Sequence, residues 1–278
     1  MPGHERRVTR MESDPRQPDE RDLEAAGYVP PDPDETPPVE LWSAVGDVPP
    51  WGTVLLLLAW GAVFALLAFR HQVGDPSASF AWGASATGLP PPEVAWRLLA
   101  STFLHAGATH IFFNAVSMLV FGPAVERVFA RWSFWTVYAG GGAAASLGSL
   151  LWRASALGPG HGFSVGASGA IYALGGALLA GAWRLRRRLA VGRARALGAA
   201  LLFLIMPGLA AGFTRLGTDN VAHAVGLAAG AALGARLPLS ARLGGPPPGL
   251  AVRALGTLGA LALAVSLALA VRSGLGLG

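Results

Sequence analysis

The stretch Gly162-Phe163-Ser164-Val165-Gly166-Ala167-Ser168-Gly169-Ala170-Ile171-Tyr172 opens an apolar run that continues to Trp183. It sets a serine beside glycines near the start of a run roughly 20 residues long, the length an α-helix needs to cross a hydrocarbon layer about 30 Å thick. A hydroxyl in such a helix either bonds back to its own backbone or is put to use. For Ser168 to serve as a nucleophile, the chain must bring a base and oxyanion donors to its level.

Composition sets the class. Of 278 residues, 53% are hydrophobic and only 13% charged, which is too apolar for one or two soluble domains and reads as an all-α polytopic membrane bundle. Cysteine is absent. Disulfides, thiolate catalysis and cysteine-based metal sites go with it, and neither a cofactor nor a metal is expected. Most of the acids, among them Glu5, Asp14, Asp19, Glu20, Asp22, Asp32, Asp34 and Glu35, lie in residues 1–50 with many prolines. This segment has few large apolar residues to bury and reads as a disordered cytoplasmic arm. Beyond it the acids are Asp75, Glu93, Glu126 and Asp219, against arginines grouped between apolar runs. That pattern is topological and lipid-facing, and no nucleic-acid partner is expected. No basic segment followed by an apolar stretch occupies the first 30 residues, so a cleaved signal peptide is not expected.

Seven spans follow from hydropathy: Trp51–Phe69, Thr109–Phe129, Trp132–Trp152, Phe163–Trp183, Ala196–Phe213, Asn220–Leu237 and Leu250–Val271. Residues 51–237 thus form a six-helix core, 238–249 a Gly/Pro linker and 250–278 an additional C-terminal helix. A long first loop from Arg70 to about Ala108, rich in aromatic residues, is placed partly in the membrane interface. The loop before the fifth span holds Arg184, Arg186, Arg187, Arg188, Arg193 and Arg195. By the positive-inside rule it faces the cytoplasm, as then does the N-terminal arm. Ser168 enters from the other face at a depth of roughly 7 Å and His223 at roughly 5 Å. His110 and Asn114 enter from that face too, four residues apart and so on one side of their helix.

Each of these has a job in acyl transfer. A serine is a weak nucleophile until a neighbouring base takes its proton, and neutral imidazole is the usual base. None of the four acids beyond the arm is expected at that depth, so the fitting arrangement is a Ser168/His223 dyad without a carboxylate. His110, Asn114 and the backbone around Gly166 and Ser168, near a helix N-terminus, are the candidate oxyanion donors. Gly226, Gly230 and Gly234 recur every four residues in the sixth span, as do Gly169, Ala173 and Ala177 in the fourth. Such stripes let two helices approach closely enough for the dyad to meet.

His110 with Asn114, Gly166-Ala167-Ser168-Gly169 followed by Tyr172, and His223-Ala224-Val225-Gly226 followed by Gly230 resemble the motif set of the rhomboid intramembrane serine proteases. The likeness covers about residues 94–237 and extends to Trp96-Arg97 in the first loop and to Gly122 with Glu126. Ala130 stands where the family pattern has glycine, a departure that bears on helix packing. The resemblance implies Ser168 as nucleophile, His223 as base, His110 and Asn114 as oxyanion donors, Tyr172 as a ring beside the histidine, and the extra span as a six-plus-one arrangement. It further implies that the substrates are single-pass transmembrane proteins cut near the outer end of their span.

Other motifs fail on specifics. The serine lacks the glycine spacing and preceding strand of a hydrolase nucleophile elbow. His105 and His110 are five apart, off one helical face, and no His-Glu-x-x-His occurs. Glu126, near Arg127 and Arg131, is expected to be structural, and His161, His71 and His4 incidental. Pro207-Gly208 and Phe213 make the fifth span a candidate gate. Two alternatives stay open: a silent relative that binds membrane clients, and a transporter whose polar layer is a substrate path.

Overall fold

The computed structural model describes residues 49–160, 162–186, 198, 199, 202, 205, 206 and 218–277. By compactness the chain divides into Met1–Pro37 and Pro38–Gly278, and the described residues all belong to the second unit. The arm, most of the fifth span with Pro207, Gly208 and Phe213, most of the arginine-rich loop before that span, and His161 lie outside them.

Eight α-helices are found among the described residues: α1 (Trp51–Phe69), α2 (Pro76–Ala81), α3 (Pro91–Ala100), α4 (Ala108–Val128), α5 (Arg131–Leu157), α6 (Ser168–Leu185), α7 (Asn220–Arg236) and α8 (Leu250–Gly274). In lipid every backbone polar group must be satisfied within its own segment, which makes helix the default for these apolar runs. By length and composition α1, α4 and α8 can each cross a membrane. Their exposed faces carry large apolar side chains such as Leu58, Phe112, Leu119, Leu258 and Leu261, so the protein is an integral membrane bundle. By contrast, α5, α6 and α7 are rich in glycine, alanine and serine, residues that lower hydropathy and suit the inside of a bundle.

The loop expected over Arg70–Ala108 is structured. Asp75 caps α2 through Ser77 N at 2.8 Å and Ala78 N at 3.4 Å. The Pro90-Pro91-Pro92 run starts α3, where proline costs nothing because the first N–H groups lack partners anyway. A two-residue strand, β1 (Ser85–Ala86), pairs antiparallel with β2 (Phe163–Ser164), Ser85 facing Ser164 and Ala86 facing Phe163. This corrects the fourth span: residues 163–167 are strand and turn, and the helix begins at Ser168. Gly162 and Gly166 have positive φ, +74° and +126°; the first bends the chain into β2 and the second turns it from β2 into α6. Ser168 is therefore the first residue of its helix rather than one buried five residues along it.

The centre of the bundle is a close contact between α6 and α7. A Cβ built on Gly226 would lie 2.2 Å from Gly169 O, on Gly230 1.9 Å from Ala173 O, and on Gly234 2.7 Å from Ala177 O. These are the two stripes read from sequence, and they face one another. Helix α5 closes on the same pair, with Gly141 against Ala173 and Gly142 against Ala170. Outside this trio α8 lies along α5, Gly256 against Trp132 and Gly259 against Trp135, and reaches the first loop where Gly274 abuts the Trp82 ring. At the opposite end of the bundle from Ser168, Glu126 on α4 accepts from Gly52 N (3.1 Å), Thr53 N (2.9 Å) and Thr53 Oγ1 (2.7 Å), capping α1. Ala130 is the N-cap residue of α5, and its N–H donates to Pro238 O at 3.3 Å.

Any side chain at Gly230 must push α6 and α7 apart, and forced overpacking costs about 1–3 kcal/mol. Gly230→Val is expected to lower the midpoint of thermal unfolding in detergent by several degrees, whereas Gly61→Ala, with nothing within 4 Å of the added carbon, leaves it unchanged or slightly raised.

Candidate active site

Ser168 starts α6 and His223 is the fourth residue of α7. The glycine contact holds the helices near enough for His223 Nε2 to stand 2.8 Å from Ser168 Oγ, a hydrogen bond between side chains 55 residues apart. His223 is buried at 5% exposure and Ser168 is half-buried. The Tyr172 ring stacks on the imidazole, centroids 4.3 Å apart and planes 13° from parallel. Tyr172 Oη donates to Ile205 O at 3.0 Å, which fixes the ring from the side of the fifth span. Nδ1 of His223 is buried and has no partner among the described residues. Among the described residues no carboxylate orients this imidazole in the manner of a triad, and the Tyr172 ring stacks on it instead.

His110 and Asn114 come from α4, one turn apart. Gly166 lies against His110: a Cβ there would be 2.7 Å from ring atoms Cε1 and Nε2 and 3.7 Å from Asn114 Nδ2. His110 Nδ1 accepts from Ala106 N at 3.4 Å. With Nδ1 accepting, the neutral ring carries its proton on Nε2, the nitrogen turned toward Gly166. Asn114 is 6% exposed, and its Nδ2 is buried without a partner among the described residues. A buried donor with nothing to bond is costly unless something else supplies the acceptor. Gly166 N already donates to Ser101 O at 2.9 Å, so the glycine contributes room for the His110 ring rather than a free N–H. The N–H of Ser168, at the first position of α6, has no partner within the helix.

Trp96 and Arg97 stand away from this centre and shape the first loop. The Arg97 guanidinium, buried at 5% exposure, donates to Phe80 O at 2.6 Å and Ala84 O at 3.4 Å. It lies 4.7 Å from the centroid of the Phe80 ring and 4.6 Å from that of Trp96, while Trp96 covers Gly83.

Two features escaped the sequence reading. His105, 4% exposed, sits edge-on to His110 with centroids 5.2 Å apart; its spacing from His110 argued against a shared helical face, and it reaches the ring from the turn before α4 instead. Asp219 corrects the expectation that no carboxylate lies near this level: it is the N-cap residue of α7, one turn ahead of His223. An aspartate beside a threonine and an asparagine before an apolar run is an N-cap signal in the sequence itself. Its carboxylate turns toward α5 and β2, where Ser149, Ser164 and Arg153 donate to it.

A bundle of apolar helices that brings a serine and a histidine into hydrogen-bonding contact defines the class: a polytopic membrane protein. The model of the Rhomboid domain matches residues 92–239, just over half the chain, and the chain belongs to the rhomboid family. It is similar to the "Putative rhomboid protease YdcA" of Bacillus subtilis (strain 168), 42% identical over 84 residues, 30% of this chain and 40% of that protein. Similarity to the "Rhomboid protease GluP" of the same organism is 30% over 181 residues, 65% of this chain and 34% of that protein. "RHOMBOID-like protein 1" of Arabidopsis thaliana is 34% identical over 139 residues, 50% of this chain and 33% of that protein. The chain thus matches less than half the length of each of these relatives.

Arg97→Ala should free the α2–α3 segment, because two backbone carbonyls and two aromatic faces lose their partner together. Limited proteolysis is expected to cut within residues 70–107 at least tenfold faster than in the wild type.

Proposed function

We propose that this protein is an intramembrane serine endopeptidase that cleaves single-pass transmembrane proteins near the outer end of their span. The observation that carries the proposal is the 2.8 Å contact between Ser168 Oγ and His223 Nε2, set beside the unpartnered Asn114 Nδ2. In the first step His223 Nε2 takes the serine proton as Oγ attacks the peptide carbonyl carbon. The carbonyl oxygen becomes an oxyanion, and Asn114 Nδ2, His110 Nε2 and the Ser168 N–H are the donors available to it. Collapse of this intermediate breaks the C–N bond, His223 returns its proton to the leaving amine, and the acyl group stays on Ser168. Water then attacks the ester with His223 again as base, releasing the new C-terminus and restoring the serine.

The arginine distribution supports a cytoplasmic N-terminus, a site opening to the extracytoplasmic side and, with Bacillus relatives, a bacterial plasma membrane. Water must reach the site, and its position at the first residue of α6 supports that access. A substrate helix must also unwind locally, because a helical peptide bond is shielded by its own backbone.

A fluorophosphonate should label the wild type, with labelling lost in Ser168→Ala, His223→Ala and heat-denatured protein. A chain that labels equally with and without Ser168, or cleaves a reporter span unchanged in Ser168→Ala, overturns the proposal. Asn114→Ala is expected to lower kcat by about 10²–10³-fold with little change in KM, the signature of a donor used mainly in the transition state. Because imidazolium cannot accept the serine proton, cleavage should fall as the pH is lowered through the titration of His223, and a profile flat into the acid range would contradict its role as base.

A further inference from the structure

The α6–α7 contact brings Ser168 and His223 close, and their hydrogen bond depends in addition on how the starts of the two helices are aligned. A slip of one residue is about 1.5 Å, enough to break a 2.8 Å hydrogen bond. A polar cluster at the Ser168 end of the bundle joins the start of α7 to the segment that leads into α6.

Its hub is Asp219. Oδ1 accepts from Ala222 N at 3.0 Å, closing the turn that carries His223, and the His223 N–H donates to the Asp219 carbonyl at 3.1 Å. Oδ2 accepts from Ser164 Oγ at 2.8 Å, from Arg153 Nη1 at 3.2 Å and from Ser149 Oγ. Arg153, 9% exposed, also donates from Nη1 to Ser149 Oγ at 2.9 Å and from Nη2 to Ser85 O at 3.1 Å. Ser85 and Ser164 are register partners in the β1–β2 pair, and Ser164 lies four residues before Ser168. One carboxylate therefore ties together the first turn of the histidine helix, the strand leading into the serine helix, and α5, which packs against both.

The geometry points to Asp219, with Arg153 as its counter-ion, as a positioning residue that sets the separation and alignment of Ser168 and His223. This rests on the protease reading of those two residues. Asp219 does not touch the imidazole, since His223 Nδ1 is without a partner among the described residues; it acts through the helix start and the strand. Misplacement by about 1 Å can cost on the order of 100-fold in rate, so the effect is measurable well before the fold is lost.

The test uses the full chain in detergent or proteoliposomes. The rate constant for fluorophosphonate labelling of Ser168 is measured together with kcat, KM and the unfolding midpoint for wild type, Asp219→Asn, Ser164→Ala and Ser149→Ala. An asparagine can cap α7 or accept from the serines and Arg153, but one side of its amide can only donate. Asp219→Asn is expected to label about 10–100-fold more slowly at a temperature where it is fully folded, with kcat falling to match and KM within twofold of wild type. Ser164→Ala removes one bond to Asp219 and Ser149→Ala removes two, one to Asp219 and one from Arg153; both are expected to slow labelling about 3–10-fold, which keeps the question answerable should Asp219→Asn fail to fold. Wild-type labelling rates in folded Asp219→Asn, or in both serine variants, overturn this inference alone. A loss that tracks only the unfolded fraction overturns it as well, since that is what a purely structural ion pair would give. Failure of the wild type itself to label would instead overturn the protease reading, and this inference with it.

Discussion

Everything at the centre of this protein depends on two helix backbones being allowed to touch. Gly226, Gly230 and Gly234 of α7 lie against Gly169, Ala173 and Ala177 of α6 so closely that a single added carbon would strike a backbone atom. No hydrophobic force drives helices together in lipid, so the association rests on van der Waals contact between small residues over a long face. That contact is what lets a serine on one helix and a histidine on the other share a hydrogen bond directly, without a long side chain or a water to span the gap. The same economy explains why the inner helices look less hydrophobic than the outer ones: their surfaces are spent on helix–helix approach, whereas α1, α4 and α8 present leucine and phenylalanine outward.

Around this contact the polar groups are sorted by what satisfies them. Glu126 is consumed in capping α1, Arg97 in holding the turns of the first loop, and Arg153 with Asp219 in joining α5, β2 and α7. Asn114 Nδ2 and His223 Nδ1, by contrast, are buried without partners among the described residues. In a protein interior polar atoms are nearly always paired, and His223 Nδ1 belongs to the ring that bonds Ser168. The C-terminal helix α8 enters this picture indirectly, by lying along α5 and meeting Trp82 in the first loop.

Much of this was legible in the residues. Hydropathy located α1 and α8 to within a few residues because lipid leaves an apolar run little choice but helix. The four-residue glycine spacing named the contacting faces of α6 and α7, and His110 with Asn114 could be placed on one side of α4 from helical period alone. Less legible were elements set by long-range pairing. Phe163 and Ser164 read as the first turn of a helix, but pairing with Ser85 and Ala86, nearly 80 residues earlier, holds them as strand. The role of Asp219 is hidden in the sequence, which gives a residue's position along its helix and not the direction of its side chain; here the carboxylate closes its own helix and gathers Ser149, Ser164 and Arg153 at once.

The amino-acid sequence by itself determined that this is a membrane bundle, where the long apolar helices α1, α4, α5, α7 and α8 run, and which serine and histidines are candidates for chemistry, since each of these follows from local hydropathy, helical period and side-chain type. Only the tertiary structure decided that Ser168 begins its helix, how closely Tyr172 stacks on His223, that the Gly166 N–H is already taken by Ser101, and that the Asp219 carboxylate gathers Ser149, Ser164 and Arg153. Those outcomes depend on contacts between segments distant in the chain, such as Ser149 and Asp219, 70 residues apart, and on the orientation of each side chain, and no local pattern encodes either.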